Sequence, residues 1–279
     1  MSFRLAVVFS AMTMFLVYHV AHAQDQSIDP AVEKVSGITP DARMIVDQYL
    51  AATGGKEAWR SLQSVQGNGT ITIPAASISG TASFCITPEA YRNTFRMSGG
   101  KIEDATIISG RNGEVVWQLT GESDQYNGEI IEGAARSKSL RQYQFNQMLD
   151  LDANFSRVEL ADIEEIEGKP AYRLDMVPRE NPDAMESRFF DQKTHLIVRT
   201  IINGDGPIQE SFYGEYVEVG PIMMHTSTKR MAGGVVLMQI DMKNLMVNKP
   251  FLAEYSKLPY EIRVLLGEEV VSPPGKNAK

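Results

Sequence analysis

The sequence is poor in the residues from which catalytic and metal centres are built. Cys85 is its only cysteine, so no internal disulfide can form and stability must come from burial. Of four histidines, His19 and His22 fall in an N-terminal apolar stretch, which leaves His195 and His225, without the spacing of a zinc site. No HExxH, GxSxG or phosphate-loop pattern occurs. Clustered Lys/Arg is missing too. With a formal net charge of -8, the chain has no basic patch with which to hold nucleic acid or anionic headgroups.

Long apolar runs are confined to one place. Arg4 precedes the run from Leu5 to Val20, and Ala21-His22-Ala23 supplies the small residues that a signal peptidase reads. The run is short for a membrane span and has no charged stop beyond it. Residues 1–23 are therefore expected to be a cleaved signal peptide. Arg4 is the only charge lost with it, so cleavage leaves 256 residues at net charge -9. No cysteine follows the cleavage site to accept a lipid, which predicts a periplasmic protein without a stable membrane anchor.

What is present reads as sheet with few helices. Residues 24–38 are polar, include Pro30 and read as a flexible leader. Thr39-Pro40-Asp41 then marks a helix start, and Ile45, Val46, Tyr49, Leu50 and Ala52 give that helix a broad apolar face. Gly54 can close it in a left-handed turn, and Lys56 to Leu62 predicts a second, shorter helix. From Val65 the period is two. Ile78, Gly80, Ala82, Phe84 and Ile86 alternate with polar residues and Cys85, and Tyr91, Phe95 and Met97 alternate with Arg92, Thr94 and Arg96. Asn112-Gly113 and Gly168-Lys169 read as hairpin turns. Between Gly128 and Leu151, the spacing of Leu140, Tyr143, Met148 and Leu151 predicts one helix within the sheet. The fold class is α+β, mainly antiparallel β, with about 10–11 strands in one continuous curved sheet. A single domain over residues 39–266 is expected, followed by a disordered tail at 267–279.

Tyr49-Leu50-Ala51-Ala52-Thr53-Gly54-Gly55-Lys56-Glu57-Ala58 resembles the opening helix and turn of periplasmic proteins related to outer-membrane lipoprotein-sorting carriers, the LolA-like group. Asn112-Gly113 with Trp117, Gly168 to Tyr172, Asp191 to Thr194 with Leu196, and Tyr216 with Val219-Gly220-Pro221 resemble its strand and turn signatures in the same order. The resemblance implies an unclosed half β-barrel with helices over its concave apolar face, holding lipid or lipoprotein acyl chains. Partner proteins of the envelope are a further implication. An acyl chain gains about 0.8 kcal/mol per buried CH₂ in such a groove. Six of the eleven methionines beyond residue 23 lie between Met223 and Met246, where flexible side chains suit a flexible ligand.

The candidate groove residues are Tyr49, Phe84, Phe95, Trp117, Tyr143, Met148, Met176, Phe212 and Tyr216. No arginine, Arg92 and Arg96 included, can be matched to the polar contacts between sheet and helices that such carriers use. No cofactor, metal or catalytic residue is expected. One alternative is a non-catalytic interaction or structural module of the envelope on the same fold. The other is a hydrolytic enzyme, for which His195, His225 and the acidic group Asp162, Glu164, Glu165 and Glu167 are the material. That group precedes a hairpin turn, where charge guards a sheet edge against aggregation.

Overall fold

A computed structural model describes residues 37–123, 125–203, 207–250, 255 and 257–269. The predicted signal, the leader up to residue 36 and the tail beyond residue 269 lie outside the described residues. In chain order the elements are β1 (Gly37–Ile38), α1 (Pro40–Ala52), α2 (Lys56–Arg60), β2 (Val65–Ile73), β3 (Ile78–Ile86), β4 (Ala90–Gly99), β5 (Ile102–Asn112), β6 (Val115–Glu122), β7 (Gln125–Ile131), α3 (Gly133–Gln142) and α4 (Leu151–Asn154). There follow β8 (Phe155–Ile166), β9 (Lys169–Pro178), β10 (Met185–Asp191), β11 (Ile197–Asn203), β12 (Gln209–Tyr213), β13 (Tyr216–Val219), β14 (Ile222–His225), β15 (Ser227–Ala232), β16 (Val235–Val247) and α5 (Tyr260–Leu265).

Fourteen strands join in the order β1-β8-β9-β10-β11-β12-β15-β16-β2-β3-β4-β5-β6-β7, and β13 pairs with β14 in a ladder of its own. The sheet starts and ends on different strands, so it is unclosed. Its ladders β8 to β12 and β16 to β7 are antiparallel, while β1 pairs with β8 in parallel through Gly37 and Ile38, two residues that the sequence reading left in the leader. The expected fold class is the one found.

Local chemistry explains the boundaries. Thr39 Oγ1 accepts the Ala42 N–H at 3.4 Å, Pro40 opens α1, and Ala42, Ile45, Val46, Tyr49 and Leu50 are its buried face. Thr53 ends it by donating to the Tyr49 carbonyl through N–H and hydroxyl alike, after which Gly54 and Gly55 turn at φ 114 and 90. A Cβ on Gly54 would lie 2.3 Å from the Pro221 carbonyl oxygen, so this turn requires glycine.

Two expectations are corrected. Strands number sixteen among the described residues, because Gly214-Glu215 and Thr226 divide segments that alternate without a break, and because Gln125–Ile131 is a strand. The helix expected from Gly128 to Leu151 shrinks to α3 and α4. β-Branched Ile130 and Ile131 oppose Trp117 and Val116 on β6 instead. Tyr143 caps α3, and Met148 sits in a turn.

The chain gathers into two compact units, where the sequence reading places one domain. Among the described residues, the first takes those within 37–53, 148–213 and 230–235, and the second those within 54–147, 214–229 and 236–269. In the first, α1 packs on β8, and Val158, Leu174, Met176 and Phe190 are completely buried. In the second, α5 packs on β7 and seals Ile262 against Ile108, Trp117 and Leu119, while α3 lays Leu140 and Tyr143 on Tyr91, Val116 and Ile131.

Candidate functional site

Residues directly opposed in a ladder share a face, and neighbours along a strand alternate. That rule sorts the candidate residues without reference to side-chain positions. In the second unit, Phe84 opposes Asn93, and Phe95, two residues on, opposes Ala82 and Ile107; Phe84, Phe95 and Ile107 therefore share one face. Met242 and Leu245 on β16 join it by opposing Gly69 and Gly67. A Cβ on Gly67 would lie 2.7 Å from Phe84 Cε1, 2.8 Å from Leu245 Cδ2 and 2.9 Å from Met242 Cε, so three apolar side chains converge over a glycine that leaves them room. Phe84, Phe95, Ile107, Met242 and Leu245 are all only half-buried.

One end of this face is capped. The Tyr143 ring lies 4.0 Å from that of Tyr91 at an interplanar angle of 31°, and burial raises the Tyr91 hydroxyl well above its ordinary pKa. Trp117 is on the other side of the same sheet. It opposes Gly110, which opposes Arg92, the neighbour of Asn93. There its Nε1–H donates to Asn112 Oδ1 at 2.8 Å, and the Arg92 guanidinium lies 5.7 Å from its ring and 4.7 Å from that of Tyr255. Placing Trp117 on one surface with Phe84 and Phe95 is thus corrected: alternation shows which residues share a face within a strand, but not which faces of separate strands coincide.

The first unit closes over its candidates. Tyr49 meets Phe190 edge-on at 5.7 Å, Met176 is fully buried, and Met148 is 2 % exposed with its Sδ 4.0 Å from Arg188 Nη1. Arg188 pairs with Glu186 at 3.0 Å, both buried, on the same face as Leu174 and Met176. Phe212 is on the opposite face, where the Arg199 guanidinium lies 5.4 Å from its ring and 5.0 Å from Phe189 while pairing with Glu210 at 2.6 Å. Tyr216, in the second unit, is half-buried and meets His225 edge-on at 5.7 Å. The nine candidates therefore divide among several surroundings, and Phe84 and Phe95 are the pair that the ladder brings together on a partly open apolar face.

Of the groups named for an enzyme, Asp162 and Glu164 make contacts within the fold, and His195 sits in a held turn. Asp191 Oδ1 accepts the Lys193 and Thr194 N–H groups at 3.0 and 2.7 Å and so holds the turn in which His195 takes φ 60. Glu164 pairs with Arg173 at 2.8 Å, and Asp162 accepts the Ile163 N–H. Burial pulls His225 down to about 4, and burial pushes the Cys85 thiol up to about 11. Among the described residues no three His, Cys, Asp or Glu are grouped to hold a metal.

Sequence reasoning missed Asn93 and Ser109. They oppose one another in the apolar phase of β4 and β5, each 7 % exposed. The signal was legible: Asn93 stands between Tyr91 and Phe95, and Ser109 follows Ile107 by two, where the alternation calls for apolar residues.

The sequence matches no family model and no curated protein. An outer membrane lipoprotein-sorting protein domain from Vibrio parahaemolyticus superposes with a TM-score of 0.52 at 8% identity, over 77% of this chain and 95% of its own. The fold is that of this lipoprotein-sorting protein domain. A LolA superfamily protein from Nitrosomonas europaea gives a TM-score of 0.49 at 12% identity over 77% of this chain and 97% of its own. A DUF1329 family protein from Desulfovibrio piger gives 0.48 at 13% identity, over 78% and 98%. At these identities the likeness shows the fold alone and leaves function to the site.

Proposed function

We infer that this chain is a non-catalytic carrier of the periplasm that holds lipid, or the acyl chains of a lipoprotein, on the apolar face of β2 to β5 and β16. The observation behind this reading is the half-buried cluster of Phe84, Phe95, Ile107, Met242 and Leu245. Core side chains of this size are normally buried almost completely, and leaving several adjacent ones partly open marks a binding surface. The lipoprotein-sorting fold agrees with it, as does the expected signal peptide, which would deliver the chain to the compartment where such cargo travels. Residues 24–279, stripped of lipid, are expected to bind an apolar fluorescent probe in the folded state. Phe95→Asp sets a carboxylate among these side chains and should abolish that binding, because burying an unpaired charge under an acyl chain costs several kcal/mol. Its melting temperature should change little, since water reaches the charge when the face is empty. No probe binding by the folded wild type would transfer the assignment to an interaction module. N-terminal sequencing of the exported protein should start at Gln24, and a retained Met1 would remove the periplasmic part of the reading.

A further inference from the structure

One row of the second unit's sheet changes character half-way across. Following the ladders from β16 to β7, it reads Leu245, Gly67, Phe84, Asn93, Ser109, Gln118 and Glu129, all on one face. The rows beside it are apolar on β3 and β4, with Ile86 and Tyr91 on one side and Ala82 and Phe95 on the other, and on β5 they carry Arg111 and Ile107 respectively. Asn93 and Ser109 are therefore polar groups set within an apolar surface. Each is more than nine-tenths buried, yet neither side chain hydrogen-bonds to another described residue. Neither side chain has a polar atom sealed from solvent without a partner, so on the empty face water meets the amide and the hydroxyl, and a ligand can take its place.

The surroundings decide what that is. Directly opposed residues stand about 5 Å apart, so the Asn93 amide and the Ser109 hydroxyl are two adjacent donors. The cation in the neighbouring row, Arg111, is already engaged, its guanidinium donating to the Gly113 carbonyl at 2.7 Å and the Pro88 carbonyl at 3.4 Å. The row ends instead in exposed Glu129. Two neutral donors beside aromatic and aliphatic walls suit uncharged carbonyl oxygens with alkyl chains attached, and disfavour phosphate or free carboxylate.

We propose that Asn93 and Ser109, with half-buried Gln118 beside them, bind the carbonyl oxygens of an uncharged acyl ester or acyl amide linkage, whose chains then lie along Phe84, Phe95 and Ile107. This rests on the carrier reading and adds the part of the lipid that is recognised. A neutral acylglycerol and the diacylglyceryl end of a lipoprotein share that linkage.

The test titrates lipid-free residues 24–279 with dioleoylglycerol, with the dioleyl glyceryl diether that has the same chains and no carbonyl, with dioleoylphosphatidic acid, and with a dipalmitoylglyceryl-cysteine peptide. The diester should bind about tenfold more tightly than the diether, one hydrogen bond's worth of preference. In Asn93→Leu/Ser109→Ala that preference should vanish while diether binding stays. The double variant should melt close to wild type, because neither side chain makes a hydrogen bond among the described residues that the change would break. Tighter binding of the peptide than of dioleoylglycerol would assign the linkage to lipoprotein, and the reverse order to free lipid. Equal binding of diester and diether by wild type, both lost in Phe95→Asp, would overturn the carbonyl site and leave the carrier standing. Phosphatidic acid bound most tightly and unaffected by the double variant would overturn it too. No binding of any probe would remove the carrier reading itself.

Discussion

The face of the first unit that carries Phe190 and the face of the second that carries Phe95 are built by the same rule and end differently. Both come from antiparallel ladders with apolar residues in one phase, and both interrupt that phase with polar groups. In the first unit the interruption is Glu186 and Arg188, which form an ion pair at 3.0 Å beside Leu174 and Met176, both fully buried. In the second it is Asn93 and Ser109, which make no such pair, beside Phe84 and Phe95, which stay half-buried. An ion pair under complete cover belongs to a core, whereas polar groups that reach solvent on a partly open apolar surface are accessible to a ligand.

Breaking the core should cost most. Glu186→Ala strands the Arg188 charge in the interior and is expected to lower the unfolding free energy by about 3–5 kcal/mol, read as a shift in the urea midpoint. Phe190→Ala opens a cavity beneath Tyr49 and should cost about 3–5 kcal/mol, while the surviving folded protein keeps its affinity for an apolar probe. Phe84→Ala is the counterpart in the second unit: it should cost below about 2 kcal/mol and reduce probe binding severalfold. Equal losses of stability for Phe190→Ala and Phe84→Ala would erase the contrast between core and surface.

Acid should sharpen the comparison. His225 is held near 4 against an ordinary 6.5, so between those values the unfolded chain takes up a proton that the folded one refuses, and stability falls as pH drops through this window. The melting temperature should decline between pH 6.5 and 4 in wild type and less steeply in His225→Phe. Asp175, in the first unit, would be raised by burial, but hydrogen bonds from Arg173 and Ser187 outweigh that and hold it below the ordinary carboxylate range. Its contribution is therefore present above that range and lost only in stronger acid, as pH falls through the depressed value. The smallest effect is at Cys85, where burial and a thiol pushed up to about 11 should keep a thiol reagent from reacting at neutral pH until urea unfolds the chain.

Much of this architecture could be read before any coordinates. Thr39-Pro40 set the start of α1, Gly54-Gly55 its end, and Gly113 and Gly168 their hairpins, because capping and left-handed turns depend on residues within a few positions of one another. The period of two identified strands for the same reason. Gly128 to Leu151 failed because Leu140, Tyr143 and Met148 do fall at helical spacing, and only the pairing of Ile130 and Ile131 with β6 removes that segment's first turn from the helix. α5 went unseen because six residues carry too short a period to register, and packing on β7 is what makes them a helix.

The sequence by itself determined the class of fold, the places where the chain turns and the phase of apolar residues in each strand, all of which are local. Tertiary structure decided which phases meet. Trp117 and Phe95 sit in equally apolar strands, yet the register β4-β5-β6 puts them on opposite faces, and Met148, read as a groove residue on a helix, is a neighbour of Arg188 in a turn. Asn93 and Ser109 stand sixteen positions apart in the sequence, and it takes a ladder to set them opposite one another. Side-chain alternation is a property of one strand, whereas a surface belongs to several, and only the hydrogen-bonded register between strands converts the first into the second.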